Sequence, residues 1–351
     1  MVSEAPPFWW HEPDWRAKAL SPISWAYGRI ARERMEKGSR TRVPVPVLCI
    51  GNFTVGGAGK TPTTVALARA ALDLGRRPGI LSRGYGGSLD VPTVVDPHHH
   101  RAKDVGDEPM ILAEIAPTVV ARDRVKGARL LIEGGADMIL MDDGFQSARL
   151  AHDYALLVID AHRGLGNGHI IPAGPVRAPL VDQMRHATAL LTIGSGGAAS
   201  DMVRSAARAG KPVYAASIAA RDARAWKGAR VLAYCGIGDP SKFYRTLEEC
   251  GAEIVDRRGF ADHHLFSEEE MRDLLARAER RDLILASTAK DAARLKGLHG
   301  TAETLLARTR VLAIELVFDN PPVASRIVEE TISTFKQTLI SAPPAWKSTQ
   351  R

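Results

Sequence analysis

Cysteine is nearly absent. Cys49, Cys235 and Cys250 are odd in number and have no C-x-x-C spacing, which excludes a disulfide framework and a thiolate zinc site and fits a reducing cytosol. Long apolar runs are missing too. No stretch approaches the roughly 20 residues that cross a bilayer, and the first residues lack the basic-then-apolar order of a signal peptide. Aromatics make up 6% of the chain, and they form no interleaved aromatic-and-basic platform of the kind nucleic-acid binders carry. The net charge of +7 therefore points to a different anion, a nucleotide or a phospholipid surface.

The apolar runs that do occur are short and continuous. VPVLCI, PGILS, PTVVA, DMILMD, YALLVID and ATALLTI read as strands buried on both faces, which implies a mostly parallel sheet covered by helices. Through GSGGAAS and on toward residue 230 the pattern loosens and reads as a linker. A second α/β set follows: strand VLAYCGIG, helix PSKFYRTLEECG, strand AEIVDRRGF, helix SEEEMRDLLARAERRD and strand LILAST. Ser267 and Glu270 form a capping box at the start of the fourth. With 351 residues, the chain is long enough for two cores. The expected division is an arm over 1–42, a larger α/β domain over 43–225 and a smaller one over 226–340.

The arm has its own composition. It holds four of the six tryptophans, and over residues 26–43 Arg29, Arg32, Arg34, Lys37, Arg40 and Arg42 stand against only Glu33 and Glu36. Ser21-Pro22 reads as N-cap and first residue of a helix. An amphipathic helix with aromatics and cations suits a headgroup interface, although an arm packed on the protein's own surface is also compatible.

The segment VPVPVLCIGNFTVGGAGKTPTTVALARAA is a strand, a glycine-rich turn and a helix. That order brings backbone N–H groups and the positive end of a helix dipole to one point, where a phosphate fits. Thr54, Gly56, Gly57, Ala58, Gly59, Lys60 and Thr61 are the nucleotide-binding candidates, with Lys60 directed at the β- and γ-phosphates and Thr61 at Mg²⁺. The standard pattern G-x-x-x-x-G-K-[ST] requires glycine at position 54, where this chain has Thr54. Strand DMILMD ends in Asp142-Asp143-Gly144, and carboxylates at a strand's C-terminal end are placed to share the metal and its waters. Together these predict a P-loop NTPase-type fold using ATP and Mg²⁺. A membrane-associated nucleotide switch of the partitioning-ATPase type is the alternative, but Val55 stands where that class carries its signature lysine.

Nine motifs in order, SWAYGRI, PVPVLCIGNFTVGGAGKTP, SRGYGG, GDEP, DDGFQ, GNGHIIPAGPVR, CGIGDPSKFYRTL, FADHH and AKDAARL, resemble the tetraacyldisaccharide 4'-kinases of lipid A synthesis. In that family the loop reads GN-T-GG-GKTP, so Thr54 and Pro62 are its ordinary form. The resemblance implies ATP- and Mg²⁺-dependent phosphorylation of the 4'-hydroxyl of an acylated glucosamine disaccharide 1-phosphate by a peripheral protein on the cytoplasmic face of the bacterial inner membrane.

The resemblance also assigns roles that spacing does not. Asp107 of GDEP matches the catalytic aspartate and His263 of FADHH the histidine that works with it. Taken alone, Asp107 reads equally as the first residue of a helix and His263 as a loop residue. Arg124 resembles an arginine near the phosphates or substrate, and Ser82, Arg83 and Tyr85 lie in a glycine loop expected on the sugar-phosphate side. The chain departs from the pattern at Ala178, where many relatives have glutamate, and at Ala289 in a segment they write TEKD. His98, His99 and His100 are adjacent in a loop, a spacing that rarely lets side chains converge on one ion. Because Asp107 and His263 come from different halves, closure of two domains would assemble the site.

Overall fold

The computed structural model describes residues 5–341, so the first four residues of the expected arm lie outside the described residues. After a turn of 3-10 helix at Pro7–Trp10, α1 (Trp15–Lys37) leads into β1 (Val47–Asn52), α2 (Lys60–Asp73), β2 (Pro78–Ser82) and β3 (Thr93–Val94). Next come α3 (Ala102–Val105), α4 (Asp107–Ala113), β4 (Thr118–Val120), α5 (Arg124–Glu133), β5 (Met138–Asp142) and β6 (Tyr154–Asp160). The run α6 (Leu180–His186), β7 (Ala189–Ile193), α7 (Ser200–Arg208) and β8 (Val213–Ala220) follows. The second set comprises β9 (Arg230–Cys235), α8 (Pro240–Glu249), β10 (Glu253–Gly259), α9 (Glu268–Arg280), β11 (Ile284–Thr288), α10 (Ala289–Leu295), α11 (Thr301–Arg308) and β12 (Thr309–Leu312). The described chain closes with β13 (Ile314–Phe318) and α12 (Val323–Ser341).

Two sheets result. The larger runs β13-β8-β7-β6-β1-β5-β2-β4-β3, parallel except at its two edge pairs, and the smaller runs β10-β9-β11-β12, all parallel. The predicted mostly parallel α/β sheet with a second, smaller α/β unit is therefore what forms. Alternate residues of β1 serve the two faces: Val47 and Cys49 pack with α1, α5, α6 and α7, while Leu48 and Ile50 pack with α2, α4 and α12. Burial on both faces accounts for the unbroken apolar runs.

Three expectations are corrected. The segment read as a linker forms α7 and β8 of the large sheet, because Met202 and Ala206 pack into its core and β8 pairs with β7. The 226–340 unit is divided: residues 230–312 build the small sheet, whereas β13 pairs antiparallel with β8 and α12 covers the face of α2. Two strands thus cross between the sheets side by side, with Arg221 N–H donating to the Ala313 carbonyl at 2.9 Å. Finally, α1 starts at Trp15 with Asp14 as N-cap, not at Ser21-Pro22. Pro22 lies inside the helix and cannot donate to the Lys18 carbonyl, and the Ser21 hydroxyl donates to that carbonyl instead at 2.8 Å.

The arm has two kinds of surface. Phe8 and Trp9 are buried against Ala17 and Ala173, with Trp9 Nε1 donating to the Pro172 carbonyl at 3.0 Å. Ser24 fixes the inner face of α1 by donating to the Ile170 carbonyl at 2.7 Å. On the outer face Trp15 is 75% exposed and Trp25 69%, with Ile23 and Ile30 also exposed. These four lie on the side of α1 opposite the buried Ala17, Ser24, Gly28 and Met35.

Candidate active site

Parallel pairing decides where the chemistry gathers. β1 lies between β5 and β6, and Ile50 is in register with Asp142, so the loop after β1 and the aspartates after β5 open side by side at the strands' C-terminal edge. Helix α2 begins directly after the loop. Its N-cap, Gly59, sits at φ +96°, and a Cβ there would lie 2.6 Å from Ile193 Cδ1. Only glycine takes that backbone turn without strain.

Lys60 is buried and its ammonium donates to Asn52 Oδ1 at 3.2 Å, with Asp143 Oδ2 at 3.8 Å. Asn52 in turn donates to the Thr54 carbonyl at 2.6 Å, so the residue before the loop holds both the loop and its lysine. Gly56, Gly57, Ala58, Gly59, Lys60 and Thr61 line one cavity of about 2270 Å³ with Asp142 and Asp143. Thr54 does not line it. Its side chain is buried, and its backbone accepts from Asn52 and, at 3.0 Å, from Arg177 Nε. The predicted ligand contact of Thr54 is therefore replaced by a role in shaping the turn.

The two aspartates diverge. Asp142 accepts from the Thr64 hydroxyl through Oδ1 at 3.3 Å, while Oδ2 is buried with no partner. Burial, helped by the nearby Glu108 charge, pushes its carboxyl up to about 7 despite Lys60. Such an orphaned carboxylate oxygen is what a cation would satisfy, and Thr61 opens on the same cavity. Asp143 is already engaged: Arg177 grips it with Nη1 to Oδ1 at 2.6 Å and Nη2 to Oδ2 at 3.2 Å. Burial favours its neutral form, but Lys60 and Arg177 hold it well below the usual carboxylate range. Of the two aspartates expected to share a metal, Asp143 is thus engaged by Arg177 and Asp142 keeps an unpartnered oxygen. Among the described residues no cluster of three or more His, Cys, Asp or Glu side chains could hold a metal unaided, so a Mg²⁺ bound here would need further oxygens from nucleotide phosphates and water.

Ser82, Arg83, Tyr85 and Arg124 line the same cavity. Arg124 is buried and donates to the carbonyls of Ala121 at 3.3 Å and Asp143 at 3.1 Å, which fixes the loop behind the aspartates. Gly106, at φ +93°, lets the Tyr85 loop press against GDEP, since a Cβ there would meet the Tyr85 carbonyl at 2.6 Å.

The second sheet closes the site from above. His263 Nδ1 lies 3.2 Å from Asp107 Oδ2, so the two residues paired by family resemblance meet across the two halves of the chain. Arg294 reaches the same Asp107 oxygen, and Lys290 pairs with Glu108 at 2.5 Å. On the opposite rim Lys242 donates to the Gly57 carbonyl at 3.0 Å and pairs with Asp160, while Arg163 pairs with Asp239 at 3.0 Å. His99 pairs with Asp96 on an exposed turn, away from this cavity.

The sequence model for tetraacyldisaccharide-1-P 4'-kinase matches residues 16–333. The chain belongs to that family. It is 58% identical over 342 residues to the tetraacyldisaccharide 4'-kinase of Sinorhizobium fredii, covering 97% of this chain and 99% of the relative. It is 59% identical over 334 residues to the enzyme of that name from Rhizobium meliloti, covering 95% and 96%. Among solved structures, LpxK from Aquifex aeolicus in complex with ATP is similar in fold, with a TM-score of 0.67 at 24% identity over 90% of this chain and 99% of that one.

Arg177, Arg294, Asn52 and Lys242 escaped the sequence reading as site residues in this family member. All four sit inside the quoted motifs, but nothing local marks an arginine whose partner is 187 positions away.

Proposed function

We propose that this protein is an ATP-dependent kinase that phosphorylates the 4'-hydroxyl of tetraacyldisaccharide 1-phosphate, a lipid A precursor, to give lipid IVA. One observation carries the reading: Lys60 of the phosphate-binding loop and His263, which is held 3.2 Å from the buried Asp107, face a single cavity from the two sheets. Family membership supplies the acceptor.

Each side chain then has a task. The loop N–H groups and Lys60 hold the β- and γ-phosphates, and Thr61 with Asp142 would hold Mg²⁺, which when bound neutralises charge on those phosphates. Ser82, Arg83, Tyr85 and Arg124 stand where the sugar phosphate would enter. Asp107 and His263 act as a unit that accepts the hydroxyl proton, worth on the order of 10²–10⁴-fold in rate. Domain closure brings that unit onto the loop and excludes water, so ATP hydrolysis without lipid is slow.

Among the described residues no helix is long and apolar enough to cross a membrane. The exposed outer face of α1, with Arg29 over the Trp25 ring and Ile30 exposed nearby, supports peripheral binding to an anionic lipid surface. The need for ATP supports the cytoplasmic face of the inner membrane as the location of that surface. We take the arm, the large sheet with α12, and the small sheet as the three working units. The test is incubation with γ-labelled ATP, Mg²⁺ and the acylated disaccharide 1-phosphate: label appearing in the lipid supports the reading, and label only in inorganic phosphate refutes it.

A further inference from the structure

We propose that Trp10 of the arm is a positioning residue for the nucleotide: its ring holds the phosphate loop at Gly56 and, through Arg163, docks α8 of the small sheet onto that loop. This rests on the reading of the loop as an ATP site and gives the arm a task in it.

Two neighbouring tryptophans do different work. Trp9 is buried with its Nε1 bonded to the Pro172 carbonyl, and it anchors the arm. Trp10 is half-buried and lines the cavity together with Val55, Gly56 and Arg163. Gly56 has φ +106°, and the atom nearest to where its Cβ would stand is Trp10 Cζ2, at 3.7 Å. The ring is the wall on which this stretch of the loop rests.

The loop is also pegged into the arm. Val55 and Trp10 pack together on the apolar cluster of Phe8, Trp9, Ala17 and Ala173, and the Val55 N–H donates to the Pro175 carbonyl at 2.8 Å. An apolar side chain at position 55, where switch ATPases carry a lysine, therefore has a purpose in this fold. The turn after β6 presses on the same tryptophans. A Cβ on Gly166, at φ +58°, would lie 2.3 Å from the Trp9 carbonyl oxygen and 3.1 Å from Trp10 Cε3, and the Asn167 N–H donates to that carbonyl at 2.7 Å.

A second contact of the ring leads to the small sheet. The Arg163 guanidinium lies over Trp10, 4.9 Å from the ring centroid, and pairs with Asp239 at the N-cap of α8 at 3.0 Å. From the first turn of α8, Lys242 donates to the Gly57 carbonyl at 3.0 Å and pairs with Asp160, whose Oδ1 accepts the Arg163 N–H at 3.1 Å. The contacts close a circuit around the lip of the loop, from Trp10 through Gly56, Gly57, Lys242, Asp160 and Arg163 back to the ring. With the Arg163 side chain 28% exposed and that of Asp239 9%, the cation–π contact is sheltered enough to exceed its strength on an open surface.

Glycines have the most conformational freedom to lose, yet phosphate binding needs their N–H groups held toward one point. Trp10 braces the glycine run from the arm and Lys242 braces it from the small sheet. Ordering done before ATP arrives is not charged to binding, so the brace raises ATP affinity.

The test is calorimetric Mg·ATP binding, steady-state kinetics and thermal unfolding of the full chain. Trp10→Ala should raise the Kd for ATP about five- to tenfold and the KM for ATP with it, while kcat at saturating ATP falls less than about threefold. Trp10→Phe, which keeps a flat ring in the same place, should recover most of the affinity. Arg163→Met leaves the ring and the loop in place, serves where Trp10→Ala does not fold, and should raise the Kd about threefold. Combined with Trp10→Ala it should add less than its separate effect, because both act along one path. ATP binding unchanged in folded Trp10→Ala or in Arg163→Met, a Trp10→Phe protein as weak as Trp10→Ala, or two losses that simply multiply overturns the proposal. So does an effect confined to Tm, which would make Trp10 a residue of the fold alone. A parent protein that binds ATP but transfers nothing to lipid refutes the kinase reading and leaves the Trp10 comparison standing.

Discussion

Replacing Arg177 by methionine should weaken the fold and the nucleotide site together. The guanidinium grips both Asp143 oxygens, at 2.6 and 3.2 Å, while Nε donates to the Thr54 carbonyl at 3.0 Å. It therefore joins the loops after β1, after β5 and before α6. The side chains are 20% and 32% exposed, between a surface pair worth roughly 0.2–1 kcal/mol and a fully buried one whose disruption costs about 3–5 kcal/mol. About 2 kcal/mol is expected, or roughly 4–8 °C in Tm for a domain of this size. A second effect follows at Lys60. Without Arg177, the Asp143 carboxylate keeps Lys60 as its ion-pair partner, 3.8 Å away, and draws the ammonium from the phosphates. ATP affinity should fall about tenfold, equivalent to about 1.4 kcal/mol. The assay is a double-mutant cycle of Arg177→Met and Asp143→Asn, read by thermal unfolding and by calorimetric ATP binding. A coupling energy below about 0.5 kcal/mol with unchanged ATP affinity would refute the argument.

Other predictions follow from single contacts. Asp142→Asn should lower kcat at least about 100-fold yet stabilise the Mg²⁺-free protein at pH 8. The folded carboxyl is raised to about 7, so its penalty is full above that pH and fades as pH falls toward the unfolded value near 4; calorimetry across this window checks the sign. Gly59→Ala should weaken ATP binding, since it adds roughly 1–2 kcal/mol of left-handed strain and a Cβ 2.6 Å from Ile193; equilibrium binding to the folded variant is the measure. Trp15→Ser with Trp25→Ser should reduce sedimentation with anionic vesicles at least about tenfold without changing Tm, because both rings are exposed.

Much of the fold was readable because its information is local. Unbroken apolar runs marked strands buried on both faces, and the Ser267–Glu270 capping box appears as expected, with Glu270 N–H donating to Ser267 Oγ at 3.2 Å and Ser267 N–H to Glu270 Oε2 at 2.7 Å. What escaped depends on distant packing. The antiparallel return of β13 to β8 is a tertiary choice that no periodicity announces, and Ser21-Pro22 resembles a helix start because the compensating Ser21 hydroxyl bond to Lys18 exists only once the helix has formed. At the site, loop glycines and paired aspartates declare themselves by spacing. The engagement of Asp143 by Arg177 and of Asp107 by Arg294 exists only once the loops and sheets are assembled.

The most direct test of the account is a product balance in one reaction: the folded protein, ATP, Mg²⁺ and acylated disaccharide 1-phosphate, followed by phosphorus NMR of the lipid and quantification of ADP. The account predicts one ADP for each new phosphomonoester, all of it at the 4' position. ADP without phosphorylated lipid, or a phosphate at any other position, would contradict it.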